Sequence, residues 1–173
     1  MASQRGIVCF SHGQESGPDG KKIRMLTPLA EQAGWRVESL DYRGIDDPAD
    51  RIEKLFTWCT QQTSPVLLVG SSMGAAVSAA VAHRIAVTGL FLIATAIYVP
   101  GYEAFNPLPL RCQATLVHGW RDEVVPYRNG LRFALECQGH FTLLAGDHGL
   151  GDADSLERLK VLFRQFLASH GKD

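Results

Sequence analysis

Ser72 stands at the centre of a Gly-x-Ser-x-Gly pattern, Gly70-Ser-Ser-Met-Gly74, between an apolar run and an alanine-rich stretch of helical length. A serine hydroxyl attacks a carbonyl carbon when a neighbouring base removes its proton. A strand that turns at once into a helix strains the residue at the turn and lifts its side chain above the sheet, and flanking glycines leave room for the bend. Ser72 is therefore the candidate nucleophile. Ser71, one position earlier, lacks the symmetric glycines.

Three segments of the chain together resemble the α/β-hydrolase superfamily. They are the pattern around Ser72, the early Ser11-His-Gly13, and His118-Gly-Trp-Arg-Asp-Glu-Val-Val-Pro126. The likeness extends along nearly the whole chain in the order of its elements, and it is greatest to the small, lidless bacterial members. The resemblance implies a serine hydrolase that forms an acyl-enzyme on Ser72 and uses neither a metal nor another cofactor.

His148 is the candidate base. A catalytic serine needs an imidazole, which in turn needs a carboxylate to fix its tautomer, and in this superfamily the histidine comes last in the chain. Of the six histidines, His148 follows the last predicted strand on a loop. The other five lie elsewhere: His12 precedes the nucleophile, His83 lies within a helix, His118 ends a strand, His140 begins one, and His170 belongs to the C-terminal tail.

Asp122 is the candidate carboxylate. It follows a predicted strand and matches the superfamily's His-Gly-x-x-Asp-x-x-Val-Pro pattern. Glu123 and Asp147 are the alternatives. Glu123 would point away from the site if Asp122 points into it, and Asp147 is too close in sequence to His148 to reach the far ring nitrogen easily.

Two backbone N–H groups are needed where negative charge develops on the attacked carbonyl oxygen. The N–H of Met73, at the start of the helix, is the first candidate. By resemblance, the second is the residue after His12 and Gly13, which is Gln14, with Glu15 a less suitable alternative. We expect His12 to hold this loop rather than to act as a second base.

The elements that must position these residues form an alternating pattern of strands and helices. Such a pattern predicts one α/β/α domain over residues 1–173, with a mainly parallel sheet of about six strands whose carboxyl ends share one edge. Compared with the full superfamily pattern, the first two strands and a lid between Ala94 and Ala114 are missing. Predicted strands cover 6–10, 36–40, 65–70, 89–94, 114–118 and 140–144, and predicted helices cover 21–33, 48–62, 73–85, 127–135 and 153–169.

Composition and charge exclude several other classes of function. Seventeen basic and eighteen acidic residues give a net charge of −1, so nothing favours binding to nucleic acid or to an anionic membrane. No apolar run approaches the roughly 20 residues of a membrane span, and the N-terminus lacks a signal-peptide layout. We therefore expect a cytoplasmic protein acting on a small-molecule acyl substrate, while the sequence makes no prediction of oligomeric state.

Three functions fit these residues. The first is a carboxylesterase-like hydrolase, the second a thioesterase or acyltransferase with the same three residues, and the third a non-catalytic binding protein on a hydrolase scaffold. Residues 95–113 are predicted to form a long loop. Its aromatic side chains either line an acyl pocket or cap the sheet edge: Tyr98, Tyr102 and Phe105.

Overall fold

A single parallel sheet of six strands forms the centre of the protein, in the order β2-β1-β3-β4-β5-β6. The computed structural model describes residues 5–103, 106, 110 and 112–171. The strands are β1 (Ile7–Ser11), β2 (Arg36–Leu40), β3 (Val66–Ser71), β4 (Gly89–Ile93), β5 (Ala114–Gly119) and β6 (His140–Leu144). The helices are α1 (Lys21–Gln32), α2 (Pro48–Thr60), α3 (Met73–Arg84), α4 (Tyr127–Glu136) and α5 (Ala153–Ser169).

Helices cover both faces of the sheet and bury two separate apolar clusters. One cluster joins α1 and α5 to the sheet, and its centre is a set of phenylalanines that includes Phe91 of β4 and Phe163 of α5. The other joins α2, α3 and α4 to the opposite face, where Leu55 is fully buried. Because β1, β3 and β4 are buried on both faces, their sequences are continuously apolar rather than alternating.

The fold class predicted from the sequence is confirmed, and each predicted element lies within two residues of its observed bounds. Helix α2 begins as expected, because the Asp47 side chain accepts a hydrogen bond of 2.8 Å from the N–H of Ala49 and Pro48 takes the first helical position. The residues described between β4 and β5 form no inserted domain, and the described part of the chain has no strand before Ile7. None of its helices has the length and apolar content needed to span a bilayer.

Candidate active site

Ser72 occupies a strained backbone position between β3 and α3. Its φ of 53° and ψ of −118° lie in a region that residues with a side chain rarely adopt. Hydrogen bonds hold it there: its N–H donates to the carbonyl of Ile93 at 2.8 Å, and its own carbonyl accepts from the N–H groups of Ala75 and Ala76 at 3.1 and 3.2 Å. The surrounding structure therefore enforces the sharp bend that raises the Ser72 side chain above the sheet edge.

Gly70 and Gly74 make this bend sterically possible. A Cβ atom on Gly70 would lie 2.4 Å from the carbonyl oxygen of Gly74, and a Cβ on Gly74 would lie 2.0 Å from the carbonyl oxygen of Ser11. Both distances are far below van der Waals contact, and the contacted atoms are backbone atoms that cannot rotate away. The two glycines therefore let the first turn of α3 rest directly on the end of β1.

The structure brings Ser72, His148 and Asp122 together. His148 Nε2 lies 3.0 Å from Ser72 Oγ, and His148 Nδ1 lies 2.7 Å from Asp122 Oδ2. With the proton on Nδ1 donated to the carboxylate, Nε2 is free to accept the proton of the serine hydroxyl. Asp122 is inaccessible to solvent at its carboxylate, and its other oxygen accepts N–H bonds from Val124 and Val125 at 2.9 and 2.7 Å. The carboxylate is therefore fixed in orientation.

His118 also contacts the Asp122 carboxylate, a contact that sequence reasoning missed. Its Nε2 lies 3.0 Å from Asp122 Oδ2 and 2.9 Å from the carbonyl oxygen of Val125. Both neighbours are acceptors, so Nε2 carries the ring proton. Gly130 of α4 leaves room for this ring, since a Cβ there would lie 2.9 Å from His118 Nδ1. The available sequence signal was the spacing of four residues between His118 and Asp122.

The two alternative carboxylates lie elsewhere. Glu123 is exposed, and Asp147 turns its carboxylate back to accept the N–H of Leu150 at 3.0 Å. The loop that carries His148 is also tied to its surroundings, because Lys21 Nζ donates to the carbonyl of Gly151 at 3.1 Å. The structure thus places one of the three candidate carboxylates, Asp122, against the imidazole of His148.

Gln14 and Met73 both border an apolar cavity that contains Ser72. Its volume is about 160 Å³, and its apolar lining includes Ile52, Ala76 and Val77. Met73 is the first residue of α3, so its N–H has no acceptor within the helix. The described residues contain no group of three or more His, Cys, Asp or Glu side chains that could hold a metal ion.

The three loop aromatics have different positions. Tyr102 lines the cavity. Tyr98 instead contacts α4, where its hydroxyl bonds Glu136 and its ring lies 4.0 Å from the guanidinium carbon of Arg132. Phe105 lies outside the described residues.

His12 holds the loop after β1 by two hydrogen bonds. Its Nε2 accepts the N–H of Tyr42 at 2.8 Å, so the ring proton must be on Nδ1, which lies 2.7 Å from the carbonyl oxygen of Gly13. Burial lowers the pKa of His12, and the positive charge of Arg51 acts in the same direction, against the bond to Gly13. The neighbouring turn is held locally, since Arg43 Nε donates to Asp41 at 2.9 Å.

Protonation of His12 should weaken the fold at acid pH. Because its native pKa is lowered from 6.5, the unfolded chain takes up a proton there before the native state does. The free energy of unfolding is therefore expected to fall as pH drops below about 6.5, by at most about 1.4 kcal/mol per pH unit from this residue. Urea unfolding between pH 7.5 and 5 should show a shallower fall for His12→Asn than for the wild type. Parallel curves would contradict this origin.

Solved structures of α/β hydrolases have the same fold as this chain. A protein of the alpha/beta hydrolase superfamily from Xanthomonas campestris pv. campestris matches with a TM-score of 0.86 and 27% identity, covering 96% of this chain and 99% of that one. Alpha/beta hydrolase domain-containing protein 10 from mouse matches at 0.78 and 22%, covering 95% and 90%. Est1E from Butyrivibrio proteoclasticus matches at 0.74 and 13%, covering 95% and 87%. The sequence matches no protein-family model and no curated protein.

Proposed function

We propose that this chain, a member of the α/β-hydrolase superfamily, is a serine hydrolase that cleaves carboxylic esters through an acyl-enzyme on Ser72. The observation that carries the proposal is the continuous hydrogen-bonded series from Ser72 Oγ to His148 at 3.0 Å and from His148 to Asp122 at 2.7 Å. A nucleophile, a base and a buried carboxylate in this order are the parts that acyl transfer requires.

In the first half of the reaction, Ser72 Oγ forms a bond to the ester carbonyl carbon while its proton passes to His148 Nε2. The carbonyl oxygen becomes negative, and the N–H groups of Met73 and Gln14 bind it, each contributing about 3 kcal/mol to lowering the barrier. The carbon–oxygen bond to the alcohol then breaks, and the alcohol oxygen takes the proton from His148. Asp122 stays ionised throughout and stabilises the imidazolium.

In the second half, water replaces the alcohol. His148 Nε2 removes a proton from the water, whose oxygen bonds to the acyl carbon. The bond between Ser72 Oγ and that carbon then breaks, Ser72 Oγ takes the proton from His148, and the carboxylic acid leaves. Every bond change and proton transfer uses groups of the chain, the ester or water. We therefore propose that the reaction needs no metal or organic cofactor, and that the partner is a small acyl ester.

The cavity beside Ser72 supports an uncharged acyl group. Its lining is mostly apolar, and Ser72, Met73 and Gln14 border it together, so an acyl chain lying in it would place its carbonyl among these three residues. Burying each methylene there contributes about 0.8 kcal/mol. Short esters with a few acyl carbons fit its volume of about 160 Å³.

A fluorophosphonate probe tests the proposed nucleophile directly, because it bonds covalently to a serine oxygen that a neighbouring base activates. We expect stoichiometric labelling of the wild type, mapped by peptide mass spectrometry to Ser72. Ser71→Ala is the matched control and should label like the wild type, whereas Ser72→Ala should not label. Absence of labelling in the folded wild type would overturn the proposal and favour a binding protein on this scaffold. Labelling at another residue would overturn the assignment of Ser72 as the nucleophile.

Enlarging Ala76 should shorten the preferred acyl chain. Ala76 lies on α3 in the cavity wall, so Ala76→Phe would fill space that we assign to the distal acyl carbons. Excluding two methylenes predicts a loss of about 15-fold in kcat/KM for a butyrate ester relative to an acetate ester. p-Nitrophenyl acetate and butyrate measure this ratio. Leu135→Ala, an exposed change on α4, should leave the ratio unchanged, and an equal loss on both esters in Ala76→Phe would contradict this location.

A further inference from the structure

Arg51 of α2 is a buried cation with no carboxylate within 4.0 Å among the described residues, although the negative charge of Asp46 acts on it from a greater distance. Its side chain is among the largest that solvent does not reach, with 1% of its surface exposed. None of the ion pairs within 4.0 Å in the described part of the chain includes it. A charged side chain is almost never fully buried unless it is paired, so the burial of Arg51 calls for a role beyond packing.

The polar contacts of Arg51 are backbone carbonyls. Nε donates to the carbonyl oxygen of Ile45 at 2.7 Å, and Nη1 donates to that of Gly13 at 3.4 Å. The guanidinium carbon also lies 5.4 Å from the centre of the Tyr42 ring. Although burial lowers the pKa of Arg51, a guanidinium stays charged at neutral pH. A full positive charge therefore lies beside the loop that follows β1.

The hydrogen bonds to the Gly13 carbonyl fix the direction of the next N–H group. In a trans peptide the C=O and the following N–H point in opposite directions, and the described residues contain no cis peptide. The Gly13 oxygen is held by two donors, Arg51 Nη1 at 3.4 Å and His12 Nδ1 at 2.7 Å. The Gln14 N–H must consequently point away from both of them.

This peptide lies directly beside the nucleophile. A Cβ atom on Gly13 would be 3.6 Å from the Cβ of Ser72, and Gln14 borders the same cavity as Ser72. Residues 14–16 are exposed, so packing does little to fix the conformation of this turn. The bonds to the Gly13 carbonyl therefore contribute to holding it at the site.

We propose that Arg51 is a positioning residue for the oxyanion hole, the pair of N–H groups of Met73 and Gln14. It holds the Gly13 carbonyl so that the Gln14 N–H faces the reacting ester oxygen. The guanidinium also polarises this peptide: positive charge at the carbonyl oxygen makes the N–H of the same peptide a stronger donor. The effect is greatest when the ester oxygen becomes negative, so it favours the transition state over the bound ester. This inference rests on the proposed esterase function.

Arg51→Met and Arg51→Lys test the inference on p-nitrophenyl acetate. Removing one oxyanion donor lowers kcat by about 10²- to 10³-fold, and a donor that is present but poorly aimed should have a smaller effect. We expect Arg51→Met to lower kcat by about 10- to 100-fold with KM within about 3-fold of the wild type. Arg51→Lys keeps the charge but loses the planar fork of donors, so its kcat should lie above that of Arg51→Met but at least about 3-fold below that of the wild type.

A matched control separates this role from stabilisation of α2. Leu55→Ala removes a fully buried side chain from the same helix, and that side chain belongs to the apolar cluster beneath α2 rather than to the loop after β1. We expect it to lower the midpoint of thermal unfolding while kcat, measured well below that midpoint, stays near the wild-type value. A trifluoromethyl ketone, whose adduct carries the negative oxygen, should bind Arg51→Met more weakly by the factor lost in kcat/KM.

The outcomes are distinct. The inference is overturned if folded Arg51→Met keeps kcat within about 3-fold of the wild type, or if Leu55→Ala loses as much activity for the same loss of stability. If Arg51→Met does not fold, Arg51→Lys decides by the same 3-fold limit. If the wild type neither hydrolyses the ester nor reacts with the fluorophosphonate, the proposed function is contradicted. The inference about Arg51, which rests on it, then fails as well. If the wild type is active and the Arg51 variants keep kcat within about 3-fold of it, the role of Arg51 is rejected and the proposed function stands.

Discussion

Ser72→Ala is expected to lower kcat for p-nitrophenyl acetate by about 10⁶-fold, because the three residues of such a site act as a unit. The hydroxyl that the variant lacks is the atom that bonds to the acyl carbon, and it is the hydroxyl that lies 3.0 Å from His148 Nε2. Alanine can occupy the same backbone turn, so the midpoint of thermal unfolding should stay close to that of the wild type. Rates of p-nitrophenol release and a thermal unfolding curve measure the two quantities.

The double variant Ser72→Ala/His148→Ala gives the control for cooperation between the residues. Once the nucleophile is gone, the base has no proton to remove, so the double variant should be no slower than Ser72→Ala within about 3-fold. Independent contributions would instead multiply. Hydrolysis by Ser72→Ala at the wild-type rate would show that the ester is attacked elsewhere.

The order and type of the elements were predictable because each depends on a local pattern. Strand β3 is a continuous apolar run that ends where Gly70 permits the bend, and α5 has a repeating apolar face that includes Leu159, Phe163 and Phe166, all buried. Burial on both faces leaves a continuous apolar run, and burial on one face leaves a repeating apolar position, so both patterns are visible in the sequence itself. Parallel crossovers then bring the carboxyl ends of the strands to one edge. Ser72, Asp122 and His148 could therefore be assigned to one site from the sequence, although they lie far apart along the chain.

The contacts that support the site were not predictable in the same way. Arg51 stands in an amphipathic helix, where a charged residue is normally solvated, and its burial depends on the loop after β1 folding over it. His118 belongs to a motif whose spacing was noted, yet its contact with Asp122 depends on the turn at residues 119–122 and on Gly130 of α4. Both contacts arise from tertiary packing, and the spacing of His118 and Asp122 alone does not determine that their side chains meet. The catalytic roles of Ser72, His148, Asp122, Gln14 and Met73 remain predictions, and the experiments above test those of Ser72 and His148 directly.

Gly74→Ala is expected to cost at least about 3 kcal/mol of folding free energy, although alanine is the better helix former by about 1 kcal/mol. The added Cβ would lie 2.0 Å from the carbonyl oxygen of Ser11 and 2.6 Å from that of His12. Strand β1 cannot move away, since Ser11 is paired to Leu40 on one side and to Gly70 on the other. Helix α3 would have to shift instead, and with it the N–H of Met73 and the turn at Ser72.

Gly151→Ala is the matched control for this substitution. A Cβ at Gly151 meets no atom within 4 Å, so this variant should unfold in urea with a free energy within about 0.5 kcal/mol of the wild type. The comparison holds the chemical change constant and varies only the space around it. Equal stabilities for the two variants would mean that the first turn of α3 does not rest directly on β1. The steric reason for glycine two residues after the nucleophile would then be lost.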